Sequence, residues 1–382
     1  MTAEHQRGLD ELAGQGRLRR LAPRVGLDFS SNDYLGLAGS PELRRAVAEA
    51  LDRGVPVGAG GSRLLRGNHP EHEALEAEAA AFFRTEAALF FSSGFMANFA
   101  IFSTLPQRGD VVVYDELIHA SAHDGMRNGR AECIPTRHND AGDVDTAIQR
   151  WRVGGGRGRP WIAVESLYSM DGDRAPVDDL QAIARRHDAM LVIDEAHATG
   201  VYGPDGRGLA AHLEGAANVI ALHTCGKALG AAGGLVCASR TVCDFLINRG
   251  RAFVFSTAPP PLQAATVRAG LALCRDAPER RERLARLVTH AGREFSQCCG
   301  LTASGSQILP VILGEEIRTM QLAAALQARG FDVRGVRPPT VPVGTSRLRI
   351  ALTLNVDEAA VSDLVRALGA ELSEDKRFGA AS

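Results

Sequence analysis

The chain is nearly without lysine. Lys227 and Lys376 are the only two among its 43 basic residues, and arginine makes up the rest. Chemistry that needs a primary amine therefore has almost nowhere to happen. CxxC spacing is absent as well. The seven cysteines (Cys133, Cys225, Cys237, Cys243, Cys274, Cys298 and Cys299) are odd in number and dispersed. That points away from a zinc site or a thioredoxin-like motif and toward reduced, mostly buried thiols in a cytoplasmic protein. Charge is nearly balanced, 43 basic against 45 acidic residues for a net −2, so no global basic field draws nucleic acid or a membrane. The opening Met1-Thr-Ala-Glu-His-Gln-Arg lacks an apolar h-region, and no secretory signal is expected. The longest uncharged run, residues 87–107, is broken by Ser92-Ser93-Gly94, Asn98 and Ser103-Thr104. It reads as strand, turn and helix rather than a bilayer span.

What is present fits an ordinary globular protein: 382 residues, 45% apolar and 23% charged, enough for two domains and a terminal arm. Between residues 71 and 256, short β-branched runs alternate with helical patterns. The runs 88–91, 111–114, 161–164, 190–193, 219–222 and 234–237 read as buried strands, and 177–187 as an amphipathic helix. This alternation predicts an α/β fold with a mainly parallel central sheet and helices on both faces. Ligands in such sheets sit beyond the strands' carboxyl ends. Pro259-Pro-Pro closes the run. A long helical stretch over 262–297 follows, then a strand (308–313), a helix (319–327), two strands (331–336, 347–352) and a last helix (357–368), a smaller α/β domain. The expected division is an N-terminal arm at 1–40, a large domain at 41–262 and a small C-terminal domain at 263–382. The stretch Arg152-Val-Gly-Gly-Gly-Arg-Gly-Arg reads as a flexible surface loop rather than an RNA-binding segment.

The strand ends carry the chemically capable residues. After Phe90-Phe91 comes Ser92-Ser-Gly94-Phe95-Met-Ala-Asn98, a glycine turn opening a helix; its free N–H groups and dipole suit an anion such as phosphate. Asp115-Glu-Leu-Ile-His119-Ala-Ser follows the next strand, and a histidine near a helix start is most often structural when taken alone. Glu165-Ser-Leu-Tyr-Ser169-Met-Asp-Gly-Asp reads equally as a capped turn. Asp194-Glu-Ala-His197 ends a buried strand with a carboxylate that needs a partner. A metal would be one, yet no second His/carboxylate pair of suitable spacing is present. His223-Thr224-Cys-Gly-Lys227-Ala is no P-loop, because Ala221, Leu222 and Ala228 stand where that motif has Gly and Ser/Thr. It does offer a lysine at a strand end beside a hydroxyl, and desolvation makes such an amine a nucleophile or a base. Phosphate cradle, lysine, carboxylate and ring-stacking candidate together describe a pyridoxal 5′-phosphate (PLP) site. There the lysine forms a Schiff base and the carboxylate keeps the pyridine nitrogen protonated.

These motifs, with Phe29-Ser-Ser-Asn32-Asp-Tyr-Leu-Gly-Leu37 and Arg347-Leu-Arg349, resemble in order and spacing the α-oxoamine synthases, a group of fold type I PLP-dependent transferases. The resemblance implies that Lys227 bears the cofactor and then removes the amino-acid Cα proton. It implies that Asp194 pairs with the pyridinium nitrogen and that His119 stacks on the ring. Ser169 and His197 would contact the 3′-oxygen, and Gly94, Phe95 and Thr224 would hold the phosphate. Asn32 and Arg349 would hold the substrate carboxylate, with Arg19 lining the acyl path. Members are homodimers with the site at the interface, so Ser256 and Thr257 would approach the partner's phosphate. Val336-Arg-Pro-Pro-Thr340-Val-Pro-Val-Gly-Thr resembles the corresponding segment of the biotin-pathway members of that group, which implies decarboxylative condensation of L-alanine with a pimeloyl thioester of CoA or acyl carrier protein. Thr340 would be held near the acyl chain or the carboxylate. The alternative is glycine with succinyl- or acetyl-CoA. One departure is visible: only Arg-Val-Gly-Leu-Asp lies between Pro23 and Phe29, where the family has a longer β-ribbon.

Overall fold

The computed structural model describes residues 2–379, and their side chains as far as 373. The chain divides into two compact units: residues 35–169 with 174–281, and residues 2–34 with 170–173 and 282–379. The boundary expected at 262/263 falls instead at 281/282. Its cause is the helix Pro261–Asp276, which buries Ala264, Val267 and Leu271 in the same apolar cluster as Leu75 and Ala79 of the helix Pro70–Phe82.

The larger unit is built on seven strands in the order Ala87–Phe91, Gly234–Ala238, Val219–Thr224, Met190–Asp194, Pro160–Glu165, Val111–Asp115, Glu132–Thr136. Gly234–Ala238 runs antiparallel to both neighbours and the remaining pairs are parallel. Six of the seven are the expected apolar runs, buried from end to end or nearly so because helices cover both sheet faces. Glu132–Thr136 escaped the sequence reading. It is an edge strand, largely exposed, and Pro135 sits in it, as an edge tolerates. The helix expected over 177–187 spans Val177–Arg186, with Leu180, Ile183 and Ala184 buried.

In the smaller unit, Ser346–Ala351 is the middle strand of an antiparallel three-stranded sheet between Arg334–Val336 and Ile308–Gly314. The expected 331–336 strand is split. Phe331–Asp332 pairs in parallel with the two-residue strand Leu27–Asp28, all that stands in place of the family's ribbon. The long helical stretch expected over 262–297 is also two helices, Pro261–Asp276 and Pro278–Glu294. Pro278 opens the second, a position where its missing N–H costs nothing. The last helix runs on to Gly379, beyond the expected 368. Among the described residues no helix is long and apolar enough to cross a membrane.

Candidate active site

The helix Gly94–Thr104 begins where the strand Ala87–Phe91 ends. Ser93 caps it, its Oγ accepting the Met96 N–H at 3.2 Å. The N–H groups of Gly94 and Phe95 precede any ladder partner and point out of the first turn with the positive end of the dipole. Thr224, closing the strand Val219–Thr224, completes the cradle: a Cβ on Gly94 would lie 3.3 Å from Thr224 Oγ1. A Cβ on Gly234 would fall 2.8 Å from the Gly94 backbone. Glycine at both positions lets backbone and hydroxyl come together, a donor set that could hold a tetrahedral anion.

Asp194 ends the strand Met190–Asp194 with 5% of its surface exposed. Its Oδ1 accepts the Ala196 N–H at 2.9 Å and its Oδ2 the Asn98 amide at 2.7 Å. Asn98 Nδ2 also donates to Ser121 Oγ at 3.0 Å, and Ser121 Oγ lies 2.8 Å from His119 Nδ1. That nitrogen already accepts the Ser121 N–H, capping the helix Ala120–Arg127. Nδ1 therefore carries the lone pair and a neutral His119 has its proton on Nε2. Desolvation holds the imidazole below its ordinary pKa against the pull of Asp194, and Lys227 pushes it the same way. A neutral ring suited to stacking results. Asn98 and Ser121 stand within the sequence motifs, but the motifs alone mark no role for either. A polar side chain on an otherwise apolar helix, one turn after its cap, was the available signal.

Lys227 Nζ lies 2.7 Å from His197 Nε2. The buried His197 and half-buried Lys227 thus share one proton position between nitrogens. Ser169 is buried, and its N–H donates to Glu165 Oε2 at 3.0 Å. Glu165 stands opposite Asp194 in the strand register. Burial, then the neighbouring Asp194, pushes its carboxyl up to about 8, so it is mostly protonated at pH 7. Its Oε1 and the Asn98 Oδ1 are buried without a hydrogen-bond partner.

In the smaller unit Arg349 is buried, with Nη2 donating to Asn32 Oδ1 at 3.0 Å and to Tyr34 OH at 3.4 Å. Arg347, on the same face two residues earlier, is bound to Asp171 instead. Asp28 fixes the turn that carries Asn32. It accepts the Ser30 and Ser31 N–H groups and the Ser31 hydroxyl. Burial would raise its carboxyl, but the Ser31 and Ser30 bonds pull it below the usual range. Arg19 and Thr340, singled out separately, touch: Nη2 donates to Thr340 Oγ1 at 3.1 Å. Arg337 holds the same arm through the carbonyls of Gly16 and Leu18. Ser256 and Thr257 lie in the loop after the short helix Arg251–Val254, half-buried and exposed respectively.

The chain belongs to the aminotransferase class I and II family, whose model matches residues 24–368. It is similar to the 8-amino-7-oxononanoate synthase of Geobacter sulfurreducens, 43% identical over 379 residues that cover 98% of this chain and 95% of the relative. The solved 8-amino-7-oxononanoate synthase of Francisella tularensis superposes with TM-score 0.77 at 27% identity, over 92% of this chain and 99% of that one. A serine palmitoyltransferase from S. paucimobilis with bound PLP–myriocin aldimine superposes with TM-score 0.86 at 28% identity, over 96% of each chain. The resemblance and the fold class read from the motifs are both borne out.

Proposed function

We propose that the protein is a PLP-dependent acyltransferase that condenses L-alanine with a pimeloyl thioester, of CoA or acyl carrier protein, to 8-amino-7-oxononanoate, CO₂ and free thiol. The observation that carries this is a donor set suited to each part of PLP: two helix-start amides with Thr224, a lysine amine, an oriented carboxylate and a neutral imidazole. Bound PLP supplies an electron sink for the charge left at the amino-acid Cα. Gly94, Phe95 and Thr224 hold its phosphate. Asp194, steadied by Asn98, keeps a proton on the ring nitrogen, and the neutral His119 stacks without competing for that proton. Ser169 and His197 face the 3′-oxygen. Lys227 would hold the cofactor through its amine and would take the Cα proton at Nζ, with His197 Nε2 beside it. Arg349 and Asn32 bind the amino-acid carboxylate, and Arg19 with Thr340 guides the acyl chain. Overall, one C–C bond forms between alanine Cα and the thioester carbonyl. The C–S bond breaks as thiol leaves, the bond from Cα to the alanine carboxylate breaks to release CO₂, and Cα takes up a proton in its place.

The working form is proposed to be a homodimer. Leu64, Leu65 and Phe255 are 50%, 84% and 72% exposed, and the Ala258 N–H to Gly61 O bond ties their two segments together. Covering these side chains with a second copy would bring Ser256 and Thr257 to the partner's phosphate. The seven free cysteines suit a reducing compartment, proposed to be the cytoplasm. The test is product analysis with purified holoenzyme, L-alanine and pimeloyl-CoA. Thiol and CO₂ in equal amounts, with a product of the mass of 8-amino-7-oxononanoate, are expected. Exchange of amino groups without thiol release would make the protein a transaminase instead.

A further inference from the structure

Behind the Asp194–Gly200 turn lies a buried polar cluster that the proposed chemistry does not use. His223 precedes Thr224 on its strand and so faces the other side of the sheet. It is fully buried, stacked on Phe83 with ring centroids 3.6 Å apart at 14°. Its Nδ1 lies 2.8 Å from Thr199 Oγ1. The Thr199 hydroxyl donates to the Glu195 carbonyl at 2.7 Å. With that one proton committed, Nδ1 must be the donor toward Thr199. On the ring's other side, Glu214 Oε1 is 2.8 Å from Nε2 without the geometry of an Nε2–H hydrogen bond: Nε2 and both Glu214 oxygens are buried with no such partner, and the Glu214 side chain is 1% exposed. A neutral ring protonated at Nδ1 has only a lone pair at Nε2. The carboxyl must then bring the proton.

We propose that Glu214 is a neutral acid donating to His223 Nε2, and that His223, through Thr199, is a positioning residue that sets the turn bearing Asp194 and His197. Glu195, in the same turn, is tied down independently by the Ser166 hydroxyl at 2.6 Å and the Leu209 and Ala210 N–H groups at 3.1 and 2.5 Å. Thr199 is thus the second anchor, two residues after the histidine that meets Lys227. The direction of both titrations agrees. Burial pushes Glu214 up to about 8 against the pull of Arg207, and burial pushes His223 down to about 4 against Glu195.

The test uses ¹⁵N-histidine-labelled holoenzyme at pH 7, with His223 and His197 resonances assigned by the His223→Asn and His197→Asn variants. His223 is expected as the neutral Nδ1–H tautomer; an Nε2–H tautomer or an imidazolium overturns the proton assignment in the unaltered protein. Thr199→Val, which keeps shape and loses the hydroxyl, should shift the His197 resonances. It should also lower kcat about tenfold or more with little change in KM. Thr199→Ser should restore both. His223→Asn, whose amide can replace Nδ1–H, should behave like Thr199→Ser, and His223→Gln like Thr199→Val. Unmoved His197 resonances in Thr199→Val and His223→Gln overturn the positioning role. The spectra stand apart from the proposed activity, on which only the kcat readout rests, so the two can fail separately.

Discussion

Lys227 and Lys376 differ in setting as sharply as two lysines can. One follows a buried strand and meets His197; the other lies on the final helix, its side chain outside the described residues. Borohydride reduction of holoenzyme and peptide mapping should place the pyridoxyl label on Lys227, and Lys227→Ala should lower turnover by at least ~10²-fold, the usual worth of a positioned base. Label on Lys376 would sink the assignment. Asp194→Asn should keep the fold, since the amide can still accept the Ala196 N–H, but lose most turnover because a neutral amide cannot hold the ring nitrogen protonated. Alanine Cα–H exchange at a near-normal rate in that variant would give Asp194 another role. These two residues were readable because their types are scarce or costly where they stand. Asn98, Ser121 and Glu165 were not. Their importance comes from contacts across up to 96 residues of sequence, and a lone Asn or Ser looks the same when it merely caps a turn.

Strands on the larger sheet were legible because both faces are covered, so the burial requirement prints a continuous apolar run. Glu132–Thr136 at the edge carries no such print, and the break at Pro278 was hidden because helical periodicity resumes at once on its far side. Packing of the helix Pro261–Asp276 with its unit is likewise a tertiary fact that Pro259-Pro-Pro concealed. The elements that carry Glu165 and Glu214 also bear on stability. Both carboxyls are raised to about 8, chiefly by burial, from an ordinary 4.5. Folding then favours the protonated forms, so their contribution is complete below about pH 4.5 and is lost as pH climbs through 8. The groups facing Glu214 include Arg207, His223, Glu195 and Cys237; those facing Glu165 include Asp194, Lys227 and Asp115. The denaturation midpoint should therefore fall between pH 6 and pH 9, and Glu214→Gln, which cannot ionise, should flatten that fall. An unchanged slope would show that Glu214 is ionised throughout.

For the whole molecule, assembly and substrate choice are the two open readings. Leu65, exposed at 84%, is one of the side chains that the proposed second copy would cover. Leu65→Glu should shift the sedimentation mass from twice 40.6 kDa toward a single chain; a parent protein that already sediments as one chain would remove the proposed interface. The proposed substrate choice rests on Arg19 of the N-terminal arm meeting Thr340, with Arg337 bound to the same arm, and on motif resemblance joined by relatives named for this reaction. One methyl group in a pocket separates alanine from glycine by only ~1–3 kcal/mol. Acyl length should discriminate more, because a pimeloyl chain carries a distant carboxylate that arginine can meet. The decisive measurement is kcat/KM by thiol release for pimeloyl-, succinyl- and acetyl-CoA with alanine and with glycine. Alanine with pimeloyl-CoA should lead by at least tenfold, about 1.4 kcal/mol, and a tenfold or larger preference for glycine with succinyl-CoA would contradict the proposed reaction.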